Sequence, residues 1–308
     1  MADSKKTAVL LLAHGSPDSV DQVPDFLLRV TGGRPLPQPV VEEVKHRYAL
    51  IGRSPLTKLT VKQAGLLARE IGMPVYVGMR NWNPLIADAV DTMAADGIEH
   101  AVAICLAPQN SRTSVGLYRS ALADSGSSFT VDFVESWHDE PALIRAFAEK
   151  LHAGWSRASR DAGANKIPII FTAHSVPERT IADGDPYESQ AKDTASLVAR
   201  ETGLAREDWT FAFQSQGMSG GPWLGPRVED TILSLKEKGH QGVFVQPIGF
   251  LCDHVEVLYD IDIGFKQFAE MQGMRLWRAA SLNDSPLLTT ALADVARSRL
   301  SQSLLASQ

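Results

Sequence analysis

Two histidines and two carboxylates are the residues of this chain whose types and spacing could do chemistry. His174 closes the apolar run Ile167-Pro-Ile-Ile-Phe-Thr-Ala173, and His14 closes another that starts at Thr7. An imidazole titrates near neutral pH, so at either place it could accept a proton or ligate a metal. A single histidine at a strand end reads more simply as a residue satisfied by a backbone carbonyl. Two in matching Ala-His words, 174 − 14 = 160 residues apart, weigh against that. The carboxylates lie in Asp253-His-Val-Glu-Val-Leu-Tyr-Asp260, just after the apolar stretch 242–248. Glu256 and Asp260 are four residues apart and would share one helix face, where like charges repel unless a cation or proton lies between them. Asp253-x-x-Glu256 equally has the spacing of a helix cap, which needs no function. Imidazole and carboxylate together could form a metal-binding pair or an acid/base pair, and spacing alone leaves both open.

The elements that must position these groups repeat with them. Pro84 opens a helical pattern that ends at Gly97 before the apolar stretch 101–106, and Pro226 opens one that ends at Gly239 before 242–246; 226 − 84 = 142 and 239 − 97 = 142. Two different words recurring in the same order argue for two halves of like fold. At 308 residues the chain also exceeds the size at which one core keeps growing, and we expect halves over 1–160 and 161–308. Strands read near 7–14, 74–79, 101–106 and 129–134, between helical patterns near 19–31, 39–50, 56–71, 84–96 and 113–124. A long amphipathic helix over 141–162 bridges to strands near 167–173, 210–214, 242–248 and 273–278, and a helix over 285–305 closes the chain. Ser175-x-x-Glu178, with Pro177 inside it, reads as a helix start. Alternating helices and fully apolar strands imply an α/β protein: two similar Rossmann-like domains, each a parallel sheet flanked by helices, with an interdomain cleft as the default site.

Composition removes several classes. A net charge of −6 and no basic stripe argue against nucleic acid as a partner. The first apolar run is interrupted by His14 too soon for a signal peptide or membrane span, so no integral membrane segment and a cytoplasmic location are expected. Two cysteines, Cys105 and Cys252, are too few for a disulfide framework or an iron-sulfur cluster and read as small buried residues. Zincin, P-loop and nucleophile-elbow words are absent. Gly217, Gly220 and Gly221 lack dinucleotide spacing and read as a loop.

The words Ala173-His-Ser-Val-Pro-Glu-Arg179, Trp223-Leu-Gly-Pro226, Gly249-Phe250 and Asp253 through Asp260 together resemble the ferrochelatase family. The resemblance continues through Arg47-Tyr48, Ser54-Pro-Leu56, Ala107-Pro108, Ser114, Tyr118 and Glu135-Ser-Trp137, covering nearly the whole chain, and is to the short soluble branch. It implies chelatase-type domains and a lyase of haem biosynthesis that inserts Fe2+ into a porphyrin with release of both pyrrole protons. Coproporphyrin III is the favoured ring and protoporphyrin IX the other candidate. Iron is then a substrate, with no tightly bound cofactor and no iron-sulfur cluster; a monomer suffices.

The same resemblance assigns roles residue by residue. His174 and Glu256 are the catalytic pair and, with His14 and Asp260, the metal-handling set. His14, Phe26, Leu27, Arg29, Arg47, Ser54 and Tyr118 are the ring-binding set, the arginines pairing with propionates. Phe26 and Leu27 could equally be core residues of a short helix, and the arginines ordinary surface ion pairs. The chain departs from its relatives at His14, where tyrosine or methionine is common, and at Gly264, where a further glutamate occurs. Two other readings stay in view: a cobalt or nickel chelatase for a sirohydrochlorin-type ring, and a cytosolic haem- or metal-binding protein.

Overall fold

The computed structural model describes residues 6–163, 167–217 and 221–306. Lys166 and the loop glycine Gly220 lie outside the described residues. In chain order the elements are β1 (Thr7–Ala13), α1 (Val23–Val30), α2 (Gln38–Ile51), α3 (Leu56–Ile71), β2 (Val75–Met79), α4 (Ile86–Ala95), β3 (His100–Cys105), α5 (Val115–Asp124), β4 (Thr130–Val134) and α6 (Pro141–Ala162). They continue as β5 (Ile169–His174), α7 (Glu178–Ala182), α8 (Tyr187–Glu201), β6 (Trp209–Gln214), α9 (Val228–Glu237), β7 (Gly242–Pro247) and α10 (Val255–Leu258). A π-helical turn (Asp260–Phe265), α11 (Lys266–Met271), β8 (Arg275–Arg278) and α12 (Pro286–Ala306) complete the chain.

Two all-parallel sheets result, with orders β2-β1-β3-β4 and β6-β5-β7-β8. The orders are the same, so the sequence repeat is a repeat of topology. Its second word recurs in detail: Met79 N donates to Pro84 O at 2.7 Å, and Phe213 N donates to Pro226 O at 2.8 Å. In each half the histidine strand is central, and Ala8–Leu12 and Ile169–Phe171 are fully buried. That is why these strands read as continuous apolar runs rather than as alternations: helices cover both faces of the sheet. Within each sheet the parallel strands put their carboxyl ends on one edge; His14 emerges there in the first sheet and His174 in the second.

The chain forms two compact units that cross the 1–160 and 161–308 division. The described residues within 1–108, 114–137 and 283–308 make one; those within 109–113 and 138–282 make the other. Helix α6 packs on α8, β7 and β8 of the second unit. Its Gly154 permits this approach, since an added Cβ would lie 2.8 Å from the Phe244 ring. Helix α12 belongs to the first unit, where it packs on α3 and β3. Gln63 Nε2 donates to Asn283 O at 2.6 Å, and Arg297 Nη2 to Glu70 O at 2.9 Å. Sequence order does not carry this exchange because each helix chooses the sheet that covers its apolar stripe. Helix α8 was invisible to periodicity for a related reason. Its buried face is Tyr187 at the start and then Ala191, Thr194, Ala195, Val198 and Ala199, a stripe of small residues beyond the first turn.

Both cysteines are free and buried, as their number suggested. Among the described residues no helix is long and apolar enough to cross a membrane. Because α12 closes the first unit from the far end of the chain, Leu292→Ala, at a fully buried position of that helix, should cost about 2–5 kcal/mol. Chemical denaturation checks this; a loss well under the lower figure would mean that α12 contributes little to the first unit.

Candidate active site

In the second unit, the ends of β5 and β6 and the loop after β7 converge on Glu256. His174 is the last residue of β5. Its Nδ1 faces the carbonyl of Ser175, and its Nε2 lies 3.2 Å from Glu256 Oε1. The other Glu256 oxygen meets a second imidazole, His254 Nε2, also at 3.2 Å, whose Nδ1 is held by Cys252 O at 2.9 Å. Phe250 packs edge-on to His254 with ring centres 4.7 Å apart. From the end of β6, Gln214 Nε2 donates to Glu256 O at 3.0 Å, and Ser215 Oγ donates to Asp260. Tyr187 OH donates to His174 O at 2.9 Å. Gly249 lets the loop after β7 come this close, since a Cβ there would sit 3.1 Å from Ala173 Cβ.

The capping reading of this segment does not hold. Helix α10 starts at Val255 with His254 as its N-cap, and that residue's side chain makes no capping bond. The Glu256 carboxylate is taken by two rings instead. Ser175 likewise does not cap α7: that helix starts after Pro177, and Ser175 Oγ donates to Leu224 O at 2.9 Å.

Electrostatics follow from the geometry. Burial pulls the His174 imidazole down, but the Glu256 charge and hydrogen bond, the Ser175 carbonyl and the Asp260 charge outweigh it and raise it from 6.5 to about 9. Burial pushes the Glu256 carboxyl up, while the charge and hydrogen bond of His174, then those of His254, hold it well below 4.5. At neutral pH the pair is therefore imidazolium and carboxylate. A divalent cation arriving at Glu256 competes with that imidazolium, and its binding favours release of the His174 proton.

The first unit presents a different set around its own histidine. His14 directly follows β1, is exposed, and has its Nδ1 3.0 Å from Gly15 O, the same anchoring that His174 shows. Gly15 has φ +83°, and a Cβ there would lie 2.8 Å from Trp82 N and Cβ, so only glycine lets the chain turn against the Trp82 backbone. Phe26 stands edge-on to His14, Tyr48 and Trp82, with centres 5.8, 6.4 and 6.2 Å away. Phe26 and Leu27 are thus buried within the unit, and the apolar side chain that α1 leaves outside is Leu28. The guanidinium carbon of Arg29 lies 5.4 Å from the centre of the Trp82 ring, and Arg47 Nε donates to Glu43 at 2.9 Å. Ser54 is buried, as is Tyr118, over whose ring Arg80 lies at 5.9 Å.

The structure thus joins His174, Glu256 and Asp260 in one unit and His14 with Phe26 in the other. Sequence reading missed His254, although it stands inside the word Asp253 through Asp260, because His-x-Glu is no metal or catalytic spacing on a helix. It also missed Arg80, whose Nε is buried with no hydrogen-bond partner among the described residues, and Trp82. Their signal was position: both follow β2, at the same sheet edge as His14. Among the described residues no cluster of three or more His, Cys, Asp or Glu is arranged to hold a metal ion.

Known proteins share this chain's length and plan. Residues 6–300 match the family model described as Ferrochelatase. A protein named Ferrochelatase from Acidobacterium capsulatum is 54% identical, over 96% of this chain and 95% of that protein. A Coproporphyrin III ferrochelatase from Geobacillus kaustophilus is 38% identical, with 96% of each chain covered. Among solved structures, SirB from Bacillus subtilis with Fe3+ superposes with a TM-score of 0.59 at 12% identity, covering 96% of this chain and 95% of SirB. Such a likeness shows the fold alone.

The raised His174 pKa makes a signed prediction. The ion pair should contribute stability in full below about pH 6.5 and lose it as pH rises through about 9. At the acid end the same pair should weaken as pH falls through the depressed Glu256 pKa, below 4.5. In Glu256→Gln only burial and weaker partners remain, so the His174 imidazole should titrate well below 9. Histidine NMR titration reads this directly, and an unmoved His174 resonance in the variant would show that Glu256 does not set it.

Proposed function

The chain belongs to the ferrochelatase family and is a metal-inserting enzyme of porphyrin chemistry, and on that premise we propose that it inserts Fe2+ into coproporphyrin III through His174 and Glu256. The observation that carries the reading is the Glu256 carboxylate shared by two imidazoles, His174 at the end of β5 and His254 at the N-cap of α10. Metal insertion needs two things from a protein: a group that meets the cation and an acceptor for the pyrrole protons. Glu256 suits the first, being ionised and paired with imidazoles rather than with lysine or arginine among the described residues. His174 suits the second once its own proton has passed to solvent on cation arrival: the neutral imidazole accepts one pyrrole proton, releases it to solvent and then accepts the other. Asp260, whose charge acts on His174, extends the acidic surface for the cation. Fe2+ and the porphyrin are substrates in this scheme, which needs no resident cofactor, and a cytoplasmic setting fits it.

Coproporphyrin III carries propionates where protoporphyrin IX carries vinyl groups. Arginines at 29, 34, 47 and 53 place guanidinium groups along the first unit's α1–α2 region, where Arg47 and Arg53 pair with the Glu43 and Asp18 carboxylates and propionates of the more carboxylated ring would take their place. Several relatives bear coproporphyrin in their names, at 35–38% identity. An anaerobic assay of Fe2+ insertion into each ring separates the two; faster turnover of protoporphyrin IX would overturn the preference.

His174→Ala should lower insertion on the order of a hundredfold or more, the usual cost of losing a general base. Glu256→Gln, which keeps the side chain's shape, should also collapse the rate, and near-normal turnover in either folded variant would refute its assigned role. For His14 the proposal is ligation of the iron of the product. Its Nδ1 lies 3.0 Å from Gly15 O and its ring is exposed and edge-on to Phe26, a setting that supports the reading. The product complex should show a histidine-ligated absorption spectrum that changes in His14→Ala, with insertion slowed less than in His174→Ala. An unchanged spectrum would return His14 to the role of a wall residue.

A further inference from the structure

Four carboxylates crowd into residues 253–262, and they divide among different partners. Glu256 takes two imidazoles and Asp260 takes Ser215. Asp253 and Asp262 converge on one guanidinium, Arg278, the last residue of β8. Arg278 Nε and Nη2 each donate to one Asp262 oxygen, both at 2.7 Å, and Nη2 lies 3.5 Å from Asp253 Oδ1. Nη1 donates to Ala279 O at 2.9 Å, and Ser281 Oγ completes the ring by donating to Asp253 Oδ1 at 2.7 Å. The Arg278 side chain is only 13% exposed.

This fork grips both flanks of the segment that carries Glu256 and Asp260. Asp253 stands before Glu256, and Asp262 stands after Asp260, inside the π-turn. That turn is held by Gly264 N donating to Tyr259 O at 2.8 Å, a bond across five residues. A π-turn holds one residue more than an α-helical turn, so relaxing it to α would rotate neighbouring side chains by about 100°. Something outside the helix must favour the wide turn. The bidentate fork is suited to this, because it fixes Asp262 in angle as well as in distance, which a point charge cannot do. It also occupies Asp253 and Asp262, so that Glu256 and Asp260 remain as the carboxylates whose charges act on His174.

We propose that Arg278 is the positioning residue of the metal-handling carboxylates, its fork on Asp262 together with Asp253 keeping the π-turn in register so that Glu256 and Asp260 meet the incoming cation. The inference rests on the metal-handling reading of Glu256 given above and deepens it. Arg278 acts through these carboxylates, and its loss should therefore be felt by the metal and not by the ring.

The test uses the full chain as wild type, Glu256→Gln, Arg278→Met, Arg278→Lys and Asp262→Asn, with KM for Fe2+ and for the porphyrin measured separately and Co2+ affinity measured by calorimetry without porphyrin. Arg278→Met and Asp262→Asn should each raise the Fe2+ KM and weaken Co2+ binding by about tenfold, the usual scale for removing the support of a ligating carboxylate, with the porphyrin KM unmoved. Arg278→Lys should fall between these and wild type, since an ammonium restores charge without the fork. If Arg278→Met does not fold, Asp262→Asn, at a side chain 37% exposed, decides the matter by the same readouts. Parallel rises in both KM values, or unchanged Co2+ affinity in the folded Asp262→Asn protein, would overturn the proposal. Should Glu256→Gln itself leave Co2+ affinity and the Fe2+ KM unchanged, the metal-handling role of Glu256 fails and the proposal with it; a loss there without one in Asp262→Asn defeats Arg278 alone.

Discussion

A carboxylate held between two imidazoles organises the second unit. Alone and half-buried, Glu256 would drift toward its neutral form, because desolvation penalises the charge. His174 and His254 reverse that, and each does so from an anchored position, its Nδ1 against a backbone carbonyl and its Nε2 aimed at one carboxylate oxygen. The arrangement asks for close backbone placement from several directions. β5 must end at His174, β6 must supply Gln214 beneath the Glu256 carbonyl, and the loop after β7 must pass close over β5. A parallel sheet delivers this because its strands end side by side on one edge. Stability and the proposed chemistry are linked here: the interaction that keeps both groups charged is the one that a cation bound at Glu256 would replace.

The two units show how one topology can carry two environments. His14 and His174 occupy equivalent strand ends and share the same anchoring of Nδ1 on the next carbonyl. What differs is the neighbour at the ring. His14 meets Phe26 in an aromatic group that includes Tyr48 and Trp82, whereas His174 meets an ionised carboxylate. The first surroundings suit a flat apolar body with a ligating nitrogen beside it; the second suit a cation and a proton. The repeat thus sets where an imidazole appears, and the loops that follow each strand set what it does.

Much of this protein was legible from residue types and spacing. The central strands announced themselves as unbroken apolar runs, because burial on both faces removes the need for alternation. The duplicated words at offsets of 160 and 142 residues foretold two sheets of one strand order, and the strand-end histidines and Glu256 stood out as the chemistry-bearing groups. The resemblance to ferrochelatases sharpened the role of each, since a word such as Ala173-His-Ser-Val-Pro is far more specific than its spacing.

Other features had no signature along the chain. His254 and Ser215 joined the site only when loops from different strands met, and Arg278 is separated from Asp262 by a helix and a strand start. The Asp253-x-x-Glu256 spacing pointed to a cap, but the carboxylate found better partners across the fold, as a tertiary contact outweighs a local one when it satisfies two imidazoles together. Helices α6 and α12 pack in compact units that chain order does not indicate, and α8 hid behind a stripe of alanine and threonine. Sequence by itself determined which segments are strands, that they repeat, and which groups could react, because hydrogen-bonding period and burial are properties of a segment. Only the tertiary structure decided which charged and polar groups face one another, because that depends on the approach of segments far apart in the chain.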